Sequence, residues 1–177
     1  MPTLAADQIG HYFGTLLLFR RVSFTLRGGE SLAVTGANGA GKSTLLRILA
    51  GLLSPKAGDV TLSVDGSPVG DRTLCTGLVA PALDVYDDLT AHENLRFLAS
   101  ARRMQARSDR IEAVLDQVGL ADRADDPVAT YSSGMRQRVK YAAALLAEPP
   151  LLLLDEPSAN LDAAGRQMVD TIIEQQQ

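Results

Sequence analysis

Short apolar and polar blocks alternate along the chain up to Thr35: LLLF, then VSFTL, then a turn at Gly28-Gly29, then SLAVT. Period-two alternation marks strands. The region therefore predicts a pair of strands around a tight turn, running into a buried strand that ends at Thr35. Beyond a glycine-rich stretch the period changes. In STLLRILAGLL the apolar residues Leu45, Ile48, Leu49 and Leu52 fall on one helical stripe, and glycine and proline end the helix between Gly51 and Pro55. GDVTLSVDG then reads as a strand followed by a turn at Asp65-Gly66.

From about Ala80 to Asp126 the pattern is helical. Thr90 and Glu93 have the spacing of a capping box and open a helix over Ala91–Arg103. A second helix, Ser108–Val118, carries Ile111, Val114, Leu115 and Val118 on one face and meets a C-terminal cap at Gly119. SSGMRQRVKYAAALLAEPP is a third helix, halted by Pro149 and Pro150. LLLLD is a continuous apolar run, as in a parallel strand covered on both faces. A last helix begins near Asp162 and runs into the glutamines at 175–177. These elements predict a single α/β domain. Residues 1–79 and 127–177 form its core, with a mostly parallel sheet and an N-terminal antiparallel part, and about 80–126 form a helical insert.

Charge and composition narrow the partners. The net charge is −4, so no long-range positive field would draw nucleic acid or anionic lipid, and no nucleic-acid partner is expected. The densest basic group, Arg102, Arg103, Arg107 and Arg110, reads as a solvated helix face. One cysteine, Cys75, cannot form an internal disulfide and suits a reducing compartment. The N-terminal MPTLAADQIG lacks the basic and apolar regions of a secretory signal. No apolar run approaches the ~20 residues that span a bilayer, so a membrane role would require docking to a separate protein.

The chemistry concentrates in two places. GANGAGKST, from Gly36 to Thr44, satisfies the spacing G-x-x-x-x-G-K-[ST] between a predicted strand and helix. Glycines at Gly36, Gly39 and Gly41 let the backbone curl so that N–H groups, including those around Asn38 and Ala40, point inward at phosphate oxygens. Lys42 adds a full positive charge, and the Ser43 hydroxyl can ligate Mg²⁺. This pattern points to nucleotide binding. Asp155 and Glu156 close the LLLL strand. Two acids there commonly cap the next helix, but downstream of a phosphate loop Asp155 suits the water shell of Mg²⁺, and Glu156 suits a base that polarises an attacking water. Ser132, Ser133 and Gly134 open a helix with small residues, which leaves amides free for a phosphate.

Taken in order, the phosphate loop, the stretch Tyr131–Arg138, LLLLDEP and Ser158–Asp162 resemble the motifs of ATP-binding-cassette ATPases. Residues 131–138 look like the family signature LSGGQ-x-R, and the likeness covers nearly the whole chain. It implies a P-loop NTPase fold, ATP and Mg²⁺, and a homo- or heterodimer with a second nucleotide-binding subunit, packed head to tail. Ser132 and Gly134 would then face the γ-phosphate held by the partner. An aromatic stacked on adenine would be Phe13, with Tyr12 the second choice. The role implied is the ATP-hydrolysing subunit of a transporter, at the cytoplasmic face of the membrane beside a transmembrane subunit. The wording around LRGGESLAVTGANGAGKSTLLRILAGLL and LTAHENLRF resembles small bacterial cassettes of the haem-exporter, cytochrome c maturation type. The alternatives are a soluble cassette of the translation or iron–sulfur assembly type, or a catalytically weak regulatory subunit.

The sequence departs from this family in three places. In the signature, Tyr131 stands for leucine, Ser133 for glycine and Met135 for glutamine. The glutamine expected after the strand before the insert falls at Pro81, with Asp84 a nearby polar substitute. The only histidines are His11 and His92, both upstream of where the switch histidine would lie, and the strand bearing it follows a helix within which the chain stops. A C-terminal strand region is thus missing from this reading, by truncation or degeneracy. The chain by itself is expected to bind ATP weakly and to turn over poorly, and steady hydrolysis at ordinary rates by the purified 177-residue chain would contradict this.

Overall fold

Residues 3–27 fold as one long hairpin. Strands β1 (Thr3–Phe13) and β2 (Leu16–Arg27) run antiparallel, and the chain reverses between them at Gly14, whose φ of 56° suits glycine. LLLF and VSFTL are therefore parts of a single strand. The turn at Gly28-Gly29 follows that strand and does not join a strand pair. In this computed structural model, which describes residues 1–104 and 108–177, two compact units can be separated: Met1–Thr76 with Gln177, and Gly77–Gln176.

The first unit continues with helix α1 (Lys42–Leu49), strand β3 (Ala57–Val64) and the short β4 (Ser67–Pro68). β3 pairs antiparallel with the free edge of β1, giving a sheet of order β2-β1-β3-β4. Alternate residues of two strands point inward, so Leu4, Ala6 and Ile9 of β1 and Val60 and Leu62 of β3 are buried. Leu45, Ile48 and Leu49 of α1 are buried too, which matches the helical stripe as far as Leu49. The helix ends there, and Leu52 is exposed.

The expected strand ending at Thr35 does not form. Residues 31–35 have no regular structure, and Leu32 and Val34 are exposed. A strand with this apolar composition needs a partner for its backbone groups and cover for both faces. In the first unit the sheet is completed by β1 to β4, and none of them pairs with 31–35.

The second unit carries strand β5 (Thr76–Val79, beginning at the boundary), helices α2 (Ala91–Ala101), α3 (Ser108–Gln117) and α4 (Ser133–Leu145), strand β6 (Leu151–Leu154) and helix α5 (Ala163–Gln176). The capping box is present in full. Thr90 Oγ1 accepts from the Glu93 N–H at 3.1 Å, and Glu93 Oε2 accepts from the Thr90 N–H at 2.9 Å. Gly119 takes φ 68° just past α3, as a C-terminal cap requires. One cluster joins the buried faces: Leu95 and Ala99 of α2, Ile111, Val114 and Leu115 of α3, Val139, Tyr141 and Leu145 of α4, and Val169 and Ile172 of α5. β5 and β6 form a two-stranded sheet, with Leu151 and Leu153 buried and Leu152 and Leu154 half-buried.

The basic group is not a uniformly solvated face. Arg110 donates to the carbonyls of Leu145 (2.6 Å) and Leu146 (3.3 Å), tying α3 to the C-terminal end of α4, and pairs with Glu148. Arg102 is half-buried, and desolvation lowers its pKa. Arg103 is exposed, and Arg107 lies outside the described residues. Among the described residues, no helix is long and apolar enough to cross a membrane.

Ile111 is fully buried at the centre of the cluster, so Ile111→Ala should cost about 2–5 kcal/mol, lost transfer energy plus residual cavity. Urea denaturation measures the change, and a loss below about 1 kcal/mol would place this side chain outside a tightly packed core.

Candidate functional site

The phosphate-type loop is built from glycine backbone. Gly36, Gly39 and Gly41 have φ of 153°, 81° and 94°; Gly36 and Gly39 are exposed and Gly41 is half-buried. Gly41 is constrained twice. Its φ is left-handed, and a Cβ there would meet Phe19 Cδ1 at 3.1 Å and Leu18 Cβ at 3.2 Å. Gly41 also caps α1 without any side-chain hydrogen bond, whereas α2 and α4 are capped by Thr90 and Ser132. The first-turn amides of α1 are thus left for another acceptor, at the end where the helix dipole is positive. Lys42 opens the helix. Its Nζ donates to the carbonyls of Gly36 (2.8 Å) and Ala37 (2.9 Å), holding the ammonium inside the curl of the loop. Ser43 follows, exposed, with Thr44 half-buried beside it; Asn38 and Ala40 lie in the exposed loop. Phe13 and Tyr12, at the tip of the β1–β2 hairpin, are both half-exposed.

In the second unit the acidic pair sits where β6 ends. Asp155 is buried, and its N–H donates to the Val79 carbonyl at 2.8 Å, extending the β5–β6 pairing. Glu156 is exposed and adopts φ 53°, a left-handed conformation that costs a glutamate about 1–3 kcal/mol and persists where surroundings over-determine it. The next residue is held from α4: the buried Tyr141 hydroxyl donates to the Pro157 carbonyl at 2.8 Å, and burial pushes this phenol well above its ordinary pKa.

The signature-like stretch is a capped helix start. Ser132 Oγ accepts from the Met135 N–H at 3.2 Å, and its hydroxyl proton remains available to a further acceptor. At Gly134 a Cβ would come within 3.1 Å of the Asn160 carbonyl, so the helix start and the loop after Glu156 lie in close contact. Tyr131 fits its altered position. The ring is buried in the cluster, its hydroxyl donates to the Arg123 carbonyl, and the Arg123 guanidinium sits 5.9 Å from the ring centre. Arg138 donates to the Val118 carbonyl and to Asp162 Oδ1, both at 3.3 Å. Asp162 caps α5 by accepting from the Gly165 N–H at 2.7 Å. That hydrogen bond, with Arg138 adding to it, holds the Asp162 carboxyl below its ordinary pKa.

The loop carrying Pro81 and Asp84 is tied to α4. Lys140 Nζ donates to the Pro81 carbonyl at 3.3 Å and lies 3.6 Å from Asp84 Oδ1. Farther along, the buried Asn94 side chain accepts from the Tyr86 N–H (2.7 Å) and donates to the carbonyls of Tyr86 and Thr90, both at 2.9 Å. Sequence reasoning missed Asn94, Lys140 and Tyr141. For Asn94 a signal existed: a polar residue on the helix face shared with Ala91 and Leu95. For the other two, nothing local announces the distant carbonyls they meet.

A glycine loop that opens an uncapped helix with lysine in its first turn, together with an acidic pair closing a short strand, defines a P-loop nucleotide-binding protein of the α/β class. The sequence profile of the ABC transporter family matches residues 19–159, and the chain belongs to that family. It is 35% identical over 178 aligned positions to the linearmycin resistance ATP-binding protein LnrL of Bacillus subtilis, covering 97% of this chain and 57% of that protein. It is 41% identical over 153 positions to the cytochrome c biogenesis ATP-binding export protein CcmA of Pseudomonas putida KT2440, covering 84% of this chain and 71% of that one. A solved ATP-binding subunit of an ABC transporter superposes with a TM-score of 0.83 at 28% identity, covering 98% of this chain and 74% of the other. The chain thus spans little more than half of LnrL.

Because its folded-state pKa is depressed, Asp162 contributes stability that is present above the unfolded aspartate value of about 3.9 and is lost as pH falls through the lower folded value. Asp162→Ala should therefore lower Tm at pH 7, and the gap from the parent should narrow at about pH 3. A gap independent of pH in thermal melts would contradict an ionised cap.

Proposed function

We propose that this chain is the ATP-binding and ATP-hydrolysing domain of an ABC transporter, working as a dimer of nucleotide-binding subunits beside a separate membrane subunit at its cytoplasmic face. The observation that carries this reading is the uncapped start of α1 behind the glycine loop, with Lys42 in its first turn. Amides around Gly36, Asn38, Gly39, Ala40 and Gly41 would bind the phosphates, and Lys42 would exchange its two carbonyl bonds for the β- and γ-phosphate oxygens. Phe13, just before Gly14, would stack on adenine, favoured over Tyr12 by its distance along the chain from Lys42.

The donor set suits Mg²⁺, a hard cation that prefers oxygen: the Ser43 and Thr44 hydroxyls follow the lysine, and Asp155 is a buried carboxylate. Ser43 would ligate it directly and Asp155 through water. When bound, the ion supplies charge neutralisation along the phosphate chain. Glu156, exposed at the end of β6, would orient and deprotonate the attacking water. Ser132 and Gly134 would complete the site of a second subunit. Residues 1–79 and 127–177 would act as the ATP-binding core, and 80–126 as the insert that meets the membrane subunit. The exposed Tyr86 and Phe97, in edge-to-face contact at 5.0 Å, support a docking role for that insert.

Among relatives, the names of the CcmA proteins specify export and that of SsuB from Albidiferax ferrireducens import of aliphatic sulfonates. The identities of 38–42% to CcmA proteins support a place near the cytochrome c biogenesis exporters.

Lys42→Ala should reduce ATP affinity by about 1.5–3 kcal/mol, the cost of a charge-assisted contact, measured with a fluorescent ATP analogue. Unchanged affinity would overturn the phosphate site. In a chain extended to the length of its relatives, Glu156→Gln should accumulate ATP-dependent dimers by size-exclusion chromatography. Monomers at saturating ATP would instead favour a catalytically weak subunit.

A further inference from the structure

Glu156 stands at the end of β6 with its direction set by backbone alone. The side chain is exposed, and its carboxylate has no hydrogen bond or ion pair among the described residues. Its φ is nevertheless 53°, a left-handed conformation that a glutamate avoids. The residue before a proline is ordinarily pushed to extended backbone, so Glu156, ahead of Pro157, has a second reason to open out. The surroundings must hold it turned.

The hold comes from both sides. The Asp155 N–H donates to the Val79 carbonyl of β5 at 2.8 Å, and the Ala159 N–H closes a turn onto the Glu156 carbonyl at 3.0 Å. That turn is tied to the packed core at Pro157. The proline ring fixes its own φ and offers no N–H, so its carbonyl is its one backbone polar group. The Tyr141 hydroxyl donates to that carbonyl at 2.8 Å. Tyr141 is fully buried, and a leucine or phenylalanine would fill the place without a hydroxyl to satisfy. Burial keeps the phenol protonated far above its ordinary range, so it remains a donor. The same face of α4 meets the rest of the loop. Gly134, Arg138 and Tyr141 have the spacing i, i+4 and i+7, which places them on one side of a helix. A Cβ on Gly134 would come within 3.1 Å of the Asn160 carbonyl, and Arg138 reaches Asp162 Oδ1 at 3.3 Å. All of these residues belong to the second unit.

We propose that Tyr141 is a positioning residue for hydrolysis: through the Pro157 carbonyl it keeps Glu156 left-handed, so that the carboxylate is aimed at the attacking water. It acts through the backbone of the base and not on the reacting atoms. An exposed glutamate on backbone free to open would sample many directions, whereas a general base works within hydrogen-bond reach of one proton. This rests on the reading of Glu156 as the base that deprotonates water, and adds to it the residue that sets its geometry.

Tyr141→Phe keeps the ring in the core and removes only the hydroxyl. In this chain the Cα and Cβ chemical shifts of Glu156 should be those of a left-handed residue in the parent and should move to extended values in the variant. A purely structural loss would lower Tm and leave them in place. In a chain extended to the length of its relatives, kcat for ATP should fall about tenfold to a hundredfold, as when a reacting group is misplaced by roughly 1 Å, with KM and ATP affinity within about twofold of the parent. Added to Glu156→Gln, the same substitution should cost less than about twofold in single-turnover hydrolysis, because the base whose aim it spoils is already gone. Extended Glu156 shifts in the parent, unmoved shifts or unchanged kcat in folded Tyr141→Phe, or a full further loss in the double variant would overturn the positioning role. Each would leave ATP binding and hydrolysis standing. A parent of the relatives' length that binds ATP and does not hydrolyse it would remove the reading of Glu156 as base, and this proposal with it.

Discussion

Helix α1 begins at a residue that cannot cap it. Gly41 supplies no side-chain acceptor, so the first-turn amides carry unmet hydrogen-bonding capacity at the positive end of the helix dipole. The loop before it is shaped to the same end. Its glycines take conformations that side chains avoid, and packing from Phe19 and Leu18 leaves no room for a Cβ at Gly41. Lys42 meanwhile draws the loop carbonyls of Gly36 and Ala37 together. The proposed nucleotide chemistry depends on this arrangement: an anion-sized deficit of hydrogen bonds, held open by backbone rather than by long side chains that would lose entropy on ordering.

The second unit uses a different device. Helix α4 acts as a spine whose side chains each fix a loop. Tyr141 holds Pro157 after the acidic pair, Arg138 reaches Asp162 and the end of α3, Lys140 holds the loop at Pro81 and Asp84, and Arg136 pairs with Asp87. Several of these bonds end on backbone carbonyls, so they fix loop shape with little dependence on loop sequence. This explains how the altered signature is accommodated. Tyr131 is absorbed by burying its ring and giving its hydroxyl the Arg123 carbonyl, and Gly134 keeps the close approach to Asn160. Asn94 shapes the neighbouring loop in the same way, satisfying three backbone groups from a fully buried position.

Local rules made much of this legible. The capping box at Thr90, the left-handed cap at Gly119, the buried stripe of α3 and the strand before Asp155 all rest on interactions within a few residues, and all are present. Two readings required knowledge of partners. SLAVT has strand composition, yet it stays irregular because a strand is completed by neighbours, and no strand of its own unit pairs with it. The arginines near Ser108 looked solvated, but Arg110 spends its donors on the carbonyl end of a helix 35 residues away.

The sequence by itself determined the chemistry of the loop, the order of the motifs and the membership they signal. Those rest on residue identity at fixed spacing and on backbone conformations that glycine and lysine permit locally. Tertiary structure decided which polar side chains hold the loops from a distance, and which apolar segment was left uncovered. It also revealed His11 as a buried ring, in contact with Phe13 and Phe19, whose nitrogens have no hydrogen-bond partner among the described residues. Burial and hydrogen-bond satisfaction depend on what the rest of the chain brings alongside, and no local pattern encodes that.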